Sequence, residues 1–229
     1  DTFGGIDILL HAATVINTQQ AHHISTQHYD LSSDINARST FLLAKACYKH
    51  LAESENGHFL NITPPINLDP KMLGVFTTYA SSQYMRSMLT VGLANHPDWL
   101  KASISVNALW PLKPFNNGES VILYQGHTQQ QENQKDISLI GEAAYLILSK
   151  PSGCFNGEFF YDEEIVEMGG VSMSDFGSED TTGFNDYTPT RRQSRYEDTG
   201  NKDKQYNRIG NPKKERNFNV DHEYDDAFI

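Results

Sequence analysis

Cysteine is scarce in these 229 residues, and the two present, Cys47 and Cys154, are too few and too far apart for a disulfide scaffold. Both are expected as free thiols, which suits the cytoplasm or another reducing compartment. No leader is expected before the first apolar stretch. Positive charge is also short: 18 Lys and Arg face 29 Asp and Glu, for a net charge of −11. The deficit is concentrated in residues 1–170, with 9 cations against 17 acids. That balance argues against a nucleic-acid surface on the folded part. No apolar run reaches 18 residues, so no membrane-spanning helix is expected. The nine histidines, His22 and His23 among them, are nowhere spaced with a carboxylate as metal ligands are, so no metal site is expected. Mean hydropathy is low, −0.53, and part of the chain is expected to stay unpacked.

What is present alternates. Residues 5–13 form a nearly continuous apolar run that reads as a strand covered on both faces. Residues 27–52 read as a long helix with Leu31, Ile35, Leu42, Ala46 and Leu51 in a rough stripe. Strands are expected over 58–63, 103–110 and 157–166, and helices over 76–94 and 137–150. Residues 114–136 are polar and Gln-rich and read as loop with a short helix. Alternation of strand and helix predicts an α/β fold, a doubly wound parallel sheet with helices on both faces. In such sheets ligands bind beyond the C-terminal ends of the strands. Past about residue 170 aliphatics thin out. The division expected is a folded domain over 1–170 and a polar, disordered tail over 171–229. Within the tail, residues 191–216 hold 9 cations against 4 acids, a stretch that would suit an anionic partner.

The chemistry-bearing residues cluster between positions 36 and 83. Tyr79 and Gln83 are four apart on a helix and so share a face. A tyrosine can pass a proton to or from a substrate oxygen, but its ordinary pKa is about 10. An adjacent cation, which lowers such a group by about 1–3 units, is what acid–base work near neutrality requires. At the position that would supply it stands Gln83, which donates a hydrogen bond but carries no charge. Thr63, at the end of the second strand, could hold a substrate oxygen opposite Tyr79. Asn36 interrupts the long helix, and its amide could order a water or a local kink. Read on the residues alone, Tyr79 is a helix aromatic, while polar strand end for His11, strand propensity for Thr63 and helix irregularity for Asn36 stand as alternatives to a site role.

Five segments, in order and at these spacings, resemble the short-chain dehydrogenase/reductases, and within them the hydroxysteroid dehydrogenase-like branch. They are F-G-G-I-D-I-L-L-H-A-A-T at 3–14, D-I-N-A-R-S-T-F-L-L-A-K-A-C at 34–47, H-F-L-N-I-T-P-P-I-N-L at 58–68, Y-A-S-S-Q-Y-M-R-S-M at 79–88 and V-N-A-L-W-P at 106–111. The resemblance implies a Rossmann-type fold and hydride transfer between NAD or NADP and a carbonyl or secondary alcohol of a small molecule. It implies Tyr79 as acid/base, Thr63 as oxygen holder, Asn36 in support and Gln83 where the family has Lys. Cofactor contacts are implied at His11, Ala12, Ala13, Tyr79, Gln83 and Pro111. Pairing of subunits through the helices at 27–52 and 76–94 is implied as well.

The departures set two further expectations. The chain begins at what resembles the family's fourth strand, and no glycine-rich turn of the G-x-G-x-x-G kind precedes a helix. An incomplete Rossmann sheet lacking its first three strands is therefore expected, as a fragment or a degenerate form. With glutamine at position 83, an impaired enzyme or a non-catalytic binding or scaffold protein is expected. The residues that decide substrate and NAD against NADP are not legible.

Overall fold

A strand that is apolar on both faces must be covered on both, and the chain meets that demand with helices above and below a parallel sheet. The structure, a computed structural model, describes residues 4–66, 70–112 and 135–176. Four strands, β1 (Ile8–His11), β2 (His58–Ile62), β3 (Ser105–Trp110) and β4 (Phe159–Tyr161), pair in parallel in the order β1-β2-β3-β4. Register runs Leu9 to Phe59, Phe59 to Val106 and Ala108 to Phe159. The central strands β2 and β3 are buried almost throughout.

Side-chain alternation sorts the core into two layers. Phe59 and Val106 face one side, where they pack with Ala44, Leu51, Ala94, Trp99 and Ile104. Those partners come largely from α2 (Ser39–Glu53), α4 (Thr77–Ala94) and α5 (Pro97–Lys101). Leu60 and Leu109 face the other side, packed with Leu139, Ala143 and Ile147 of α6 (Ser138–Leu148) and Ile165 and Val166 of α7 (Asp162–Met168). Neither Ile8 nor Leu10 belongs to that second layer. They stay 47% and 48% exposed on the outer strand.

The expected parallel α/β sheet is present, with several bounds moved. The single helix expected over 27–52 is α1 (Thr26–Ser33), capped by the Ser25 hydroxyl accepting from the His28 amide at 3.2 Å. It runs into a π-helical turn, Asp34–Arg38, and then α2. A short α3 (Pro70–Val75) precedes α4. The strand expected over 157–166 lasts only for Phe159–Tyr161. At Asp162 three acids in succession open α7, where a helix N-terminus favours negative charge. Gly57, which closes the turn from α2 to β2, has no room for a side chain, because a Cβ there would lie 2.5 Å from the Leu51 carbonyl.

Order also extends past the boundary expected at 170. Met173–Phe176 form a 3-10 turn, and Phe176 is buried in the α6/α7 core. The remainder of the expected tail, and most of the polar loop at 114–136, lie outside the described residues.

Candidate active site

The π-helical turn carries the side chain that ties it to the rest of the site. Asn36 is wholly buried, and its amide is spent on a loop 21 residues earlier. Its Oδ1 accepts from the Val15 amide at 2.7 Å and from Thr14 Oγ1 at 3.1 Å. Its Nδ2 donates to the Val15 carbonyl at 2.8 Å and to Ser82 Oγ at 3.0 Å. With both faces of the amide engaged, the extra residue of the wide turn places Asn36 against the segment leaving β1. Ser82 in turn donates to the Tyr79 carbonyl at 2.8 Å.

The second component is a polar stripe on α4. Tyr79, Gln83, Arg86 and Thr90 recur at helical spacing, and all are buried. Tyr79 is 8% exposed and Gln83 1%. Gln83 Nε2 donates to the Tyr79 hydroxyl at 3.2 Å and to Thr14 Oγ1 at 2.8 Å. Since Thr14 already donates to Asn36, a directed chain runs from Gln83 through Thr14 to Asn36. Gln83 Oε1 is buried and has no hydrogen-bond partner among the described residues.

Arg86, seven residues after Tyr79, is not among the residues expected from the sequence, where nothing marks a helix cation as buried. It is 0% exposed. Its Nε donates to the Asn36 carbonyl at 2.6 Å and its Nη1 to the Ile62 carbonyl at 3.0 Å. Its Nη2 donates to the carbonyls of Ala13 at 2.6 Å and Ile35 at 3.3 Å. One guanidinium thus ties together the end of β2, the loop after β1 and the π-helical turn. Burial lowers its pKa to about 10, with the Tyr79 hydroxyl acting in the opposite direction, so it is charged at neutral pH. Thr14 and Ser82 were also missed, since a hydroxyl in a loop or on a helix carries no distinctive spacing.

The other expected residues divide. Thr63 is wholly buried. Its hydroxyl donates to the Gln83 carbonyl at 3.0 Å and lies 2.9 Å from Ser87 Oγ, so its hydrogen bonds go to the backbone and a serine of α4. His11 is buried at the end of β1. Its Nδ1 lies 3.3 Å from Asn61 Oδ1 and 3.1 Å from Thr40 Oγ1, and its Nε2 lies 3.0 Å from Ser39 Oγ. Burial first, and the Arg86 charge second, lower its pKa to about 4 against the hydrogen bond to Asn61, so it is neutral at pH 7. Ala12 and Ala13 are exposed at the strand ends. Pro111 is half-buried, and the next amide, that of Leu112, donates to Asp162 Oδ1 at 2.8 Å. Burial pushes the Asp162 carboxyl up to about 6, against the amides of Leu112 and Glu163. Cys47 and Cys154 are unbridged, and burial raises the Cys47 thiol.

This geometry has relatives. A family model described as short chain dehydrogenase matches residues 1–112. Hydroxysteroid dehydrogenase-like protein 2 of Danio rerio is 35% identical over 175 residues, 76% of this chain and 41% of the relative. The Homo sapiens protein of the same name is 35% identical over 173 residues, 76% of this chain and 40% of the relative. The chain therefore spans about two fifths of the length of these curated relatives. A crystal structure from Xanthomonas campestris, described provisionally as a dehydrogenase, superposes with a TM-score of 0.70 at 29% identity, covering 77% of this chain and 63% of the other. The angucycline C-6 ketoreductase LanV with bound NADP superposes at 0.58 and 15% identity, covering 69% and 61%, a likeness of fold alone. No helix among the described residues is long and apolar enough to cross a membrane. By sequence match and by fold, the chain belongs to the short-chain dehydrogenase family, on its hydroxysteroid dehydrogenase-like branch.

Proposed function

We propose that the chain serves an oxidoreductase that moves hydride between NAD or NADP and a small-molecule carbonyl or secondary alcohol, with Tyr79 as the acid/base. The observation that carries this reading is the Tyr79 hydroxyl accepting from the buried amide of Gln83, inside the Gln83–Thr14–Asn36 chain. Tyr79 gives its proton to the carbonyl oxygen being reduced, or takes it from the alcohol being oxidised. Gln83 orients that hydroxyl, and its unpartnered Oε1 is an acceptor suited to a ribose hydroxyl. The nicotinamide cofactor, when bound, supplies or accepts the hydride. Ala12, Ala13 and Pro111 follow the strand ends, the edge at which such folds take a ligand, while His11 holds the end of β1 with both ring nitrogens engaged. Asn36 supports the site through the loop it anchors. Thr63 fixes α4 against β2, rather than gripping substrate as the resemblance implied, because its hydroxyl is already committed.

Glutamine in place of lysine removes a charge beside Tyr79. The loss is on the order of 10- to 1000-fold in rate at neutral pH. Turnover of NADH and NADPH with a panel of aldehydes, ketones and secondary alcohols tests this. Tyr79→Phe should cost at least about 100-fold, and Gln83→Lys should gain about 10-fold or more. Equal turnover in wild type and Tyr79→Phe would remove Tyr79 from the reaction.

The uncharged Gln83 favours a second reading, a non-catalytic binding or scaffold protein. Fluorescence titration with NADH and NADPH separates the two, because an enzyme of this kind must bind one of them. Under either reading we infer that a second copy packs on the exposed apolar residues Phe41 and Leu42 of α2 and Met85, Met88 and Val91 of α4.

A further inference from the structure

A buried guanidinium calls for a balancing negative charge. Taking such an ion out of water costs several kcal/mol unless opposite charge or well-placed dipoles offset it. Arg86 has four carbonyl acceptors, but among the described residues no carboxylate approaches it. Arg38 with Asp34 and His96 with Asp98 are ion-pair contacts made elsewhere. The nearby group able to become an anion in the course of the proposed reaction is the Tyr79 hydroxyl. Seven residues turn a helix through about 700°, within about 20° of two full turns, so Arg86 and Tyr79 lie on one line along α4. Side chains lean toward the helix N-terminus, which carries the guanidinium back toward Gln83 and Tyr79. Hydrogen bonds join the ends of that line. Gln83 Nε2 donates to both the Tyr79 hydroxyl and Thr14, Thr14 donates to the side-chain oxygen of Asn36, and Arg86 donates to the main-chain carbonyl of the same Asn36.

We propose that Arg86 is the cation of this site: its buried charge favours the Tyr79 phenolate from two turns away, in compensation for the uncharged Gln83. Arg86 is a positioning residue, since it acts on Tyr79 by its charge and by holding Asn36, whose side chain in turn holds Thr14 beside Gln83. The mutual attraction of Arg86 and Tyr79 noted above agrees with this. The inference deepens the oxidoreductase reading and rests on it for its purpose. One consequence is that Gln83→Lys should gain toward the lower end of the range given above, because part of the charge is already supplied.

The test needs no turnover. Ultraviolet titration of wild type minus Tyr79→Phe gives the pKa of Tyr79 alone among the 11 tyrosines. Wild type should titrate at least about one unit below the ordinary value of about 10. Arg86→Met, which keeps length without charge, should return Tyr79 to 10 or above, while Arg86→Lys should keep it low. Tyr79 at or above 10 in wild type overturns the proposal, as does a low value that Arg86→Met leaves unchanged. If Arg86→Met does not fold, wild type and Arg86→Lys decide: a low pKa in both supports the proposal, and an ordinary one in wild type overturns it. A low Tyr79 pKa in a protein without turnover would sink the oxidoreductase reading and leave this inference standing.

Discussion

Two buried titratable groups oppose each other in acid. His11, held neutral near pKa 4 against an unfolded value of about 6.5, contributes stability that is complete above pH 6.5 and lost as pH falls through 4. Asp162, raised to about 6 against an unfolded value of about 3.9, contributes stability that is complete below 3.9 and lost as pH rises through 6. Between pH 6 and 4 the two slopes have opposite sign. His11→Gln should therefore leave a protein that gains stability on acidification over that window. Asp162→Asn should leave one that loses it more steeply than wild type. Urea denaturation at half-unit pH steps reads both slopes. Tyr79, Gln83 and Asn36 were legible in the sequence because their spacing matches a family pattern. Arg86 and Asp162 were not, because burial of a charge is a tertiary fact that no local spacing encodes.

At the scale of elements, the strands and helices that bury apolar stripes were readable and their ends were not. The π-helical turn is the clearest case. A helix of period 3.6 was expected from Leu31 to Leu51, yet one side chain with partners in a distant loop outweighs a residue's local helix bonds. Asn36→Ala deletes four hydrogen bonds made by a wholly buried side chain. At about 1 kcal/mol each, with the wholly buried Ser82 side chain also losing a partner, the cost should be about 3–5 kcal/mol. Thermal unfolding followed by circular dichroism measures it. A loss under about 1 kcal/mol would mean that the turn forms without its asparagine. The short β4 shows the same limit from the other side. Residues 157–166 read as strand on composition, and three consecutive acids at a helix N-terminus overrode that reading after Tyr161.

At the scale of the molecule, the α/β class followed from alternation, and the placement of the layers follows from the parity of each strand. The layer of α2 and α4 is itself partly uncovered: Phe41, Leu42, Met85, Met88 and Val91 stay exposed. Exposed apolar side chains on two neighbouring helices are what the proposed pairing of copies would cover. Met88→Lys should shift the protein from dimer or larger to monomer in size-exclusion chromatography with light scattering, and leave its circular dichroism unchanged. An unaltered elution would place the interface elsewhere.

The outer strand carries a consequence of its own. His58 donates its amide to the Asp7 carbonyl at 2.8 Å, and in a parallel ladder the peptide groups that face one neighbour recur every second residue. Leu9 and His11 therefore turn their peptides inward, and Ile8 and Leu10 turn theirs away from β2. Those same two residues leave their side chains bare. Docking of any further strand on this edge would be a single event in which hydrogen bonding and the loss of wetted hydrocarbon happen together, with about 1 kcal/mol from each half-exposed side chain once covered.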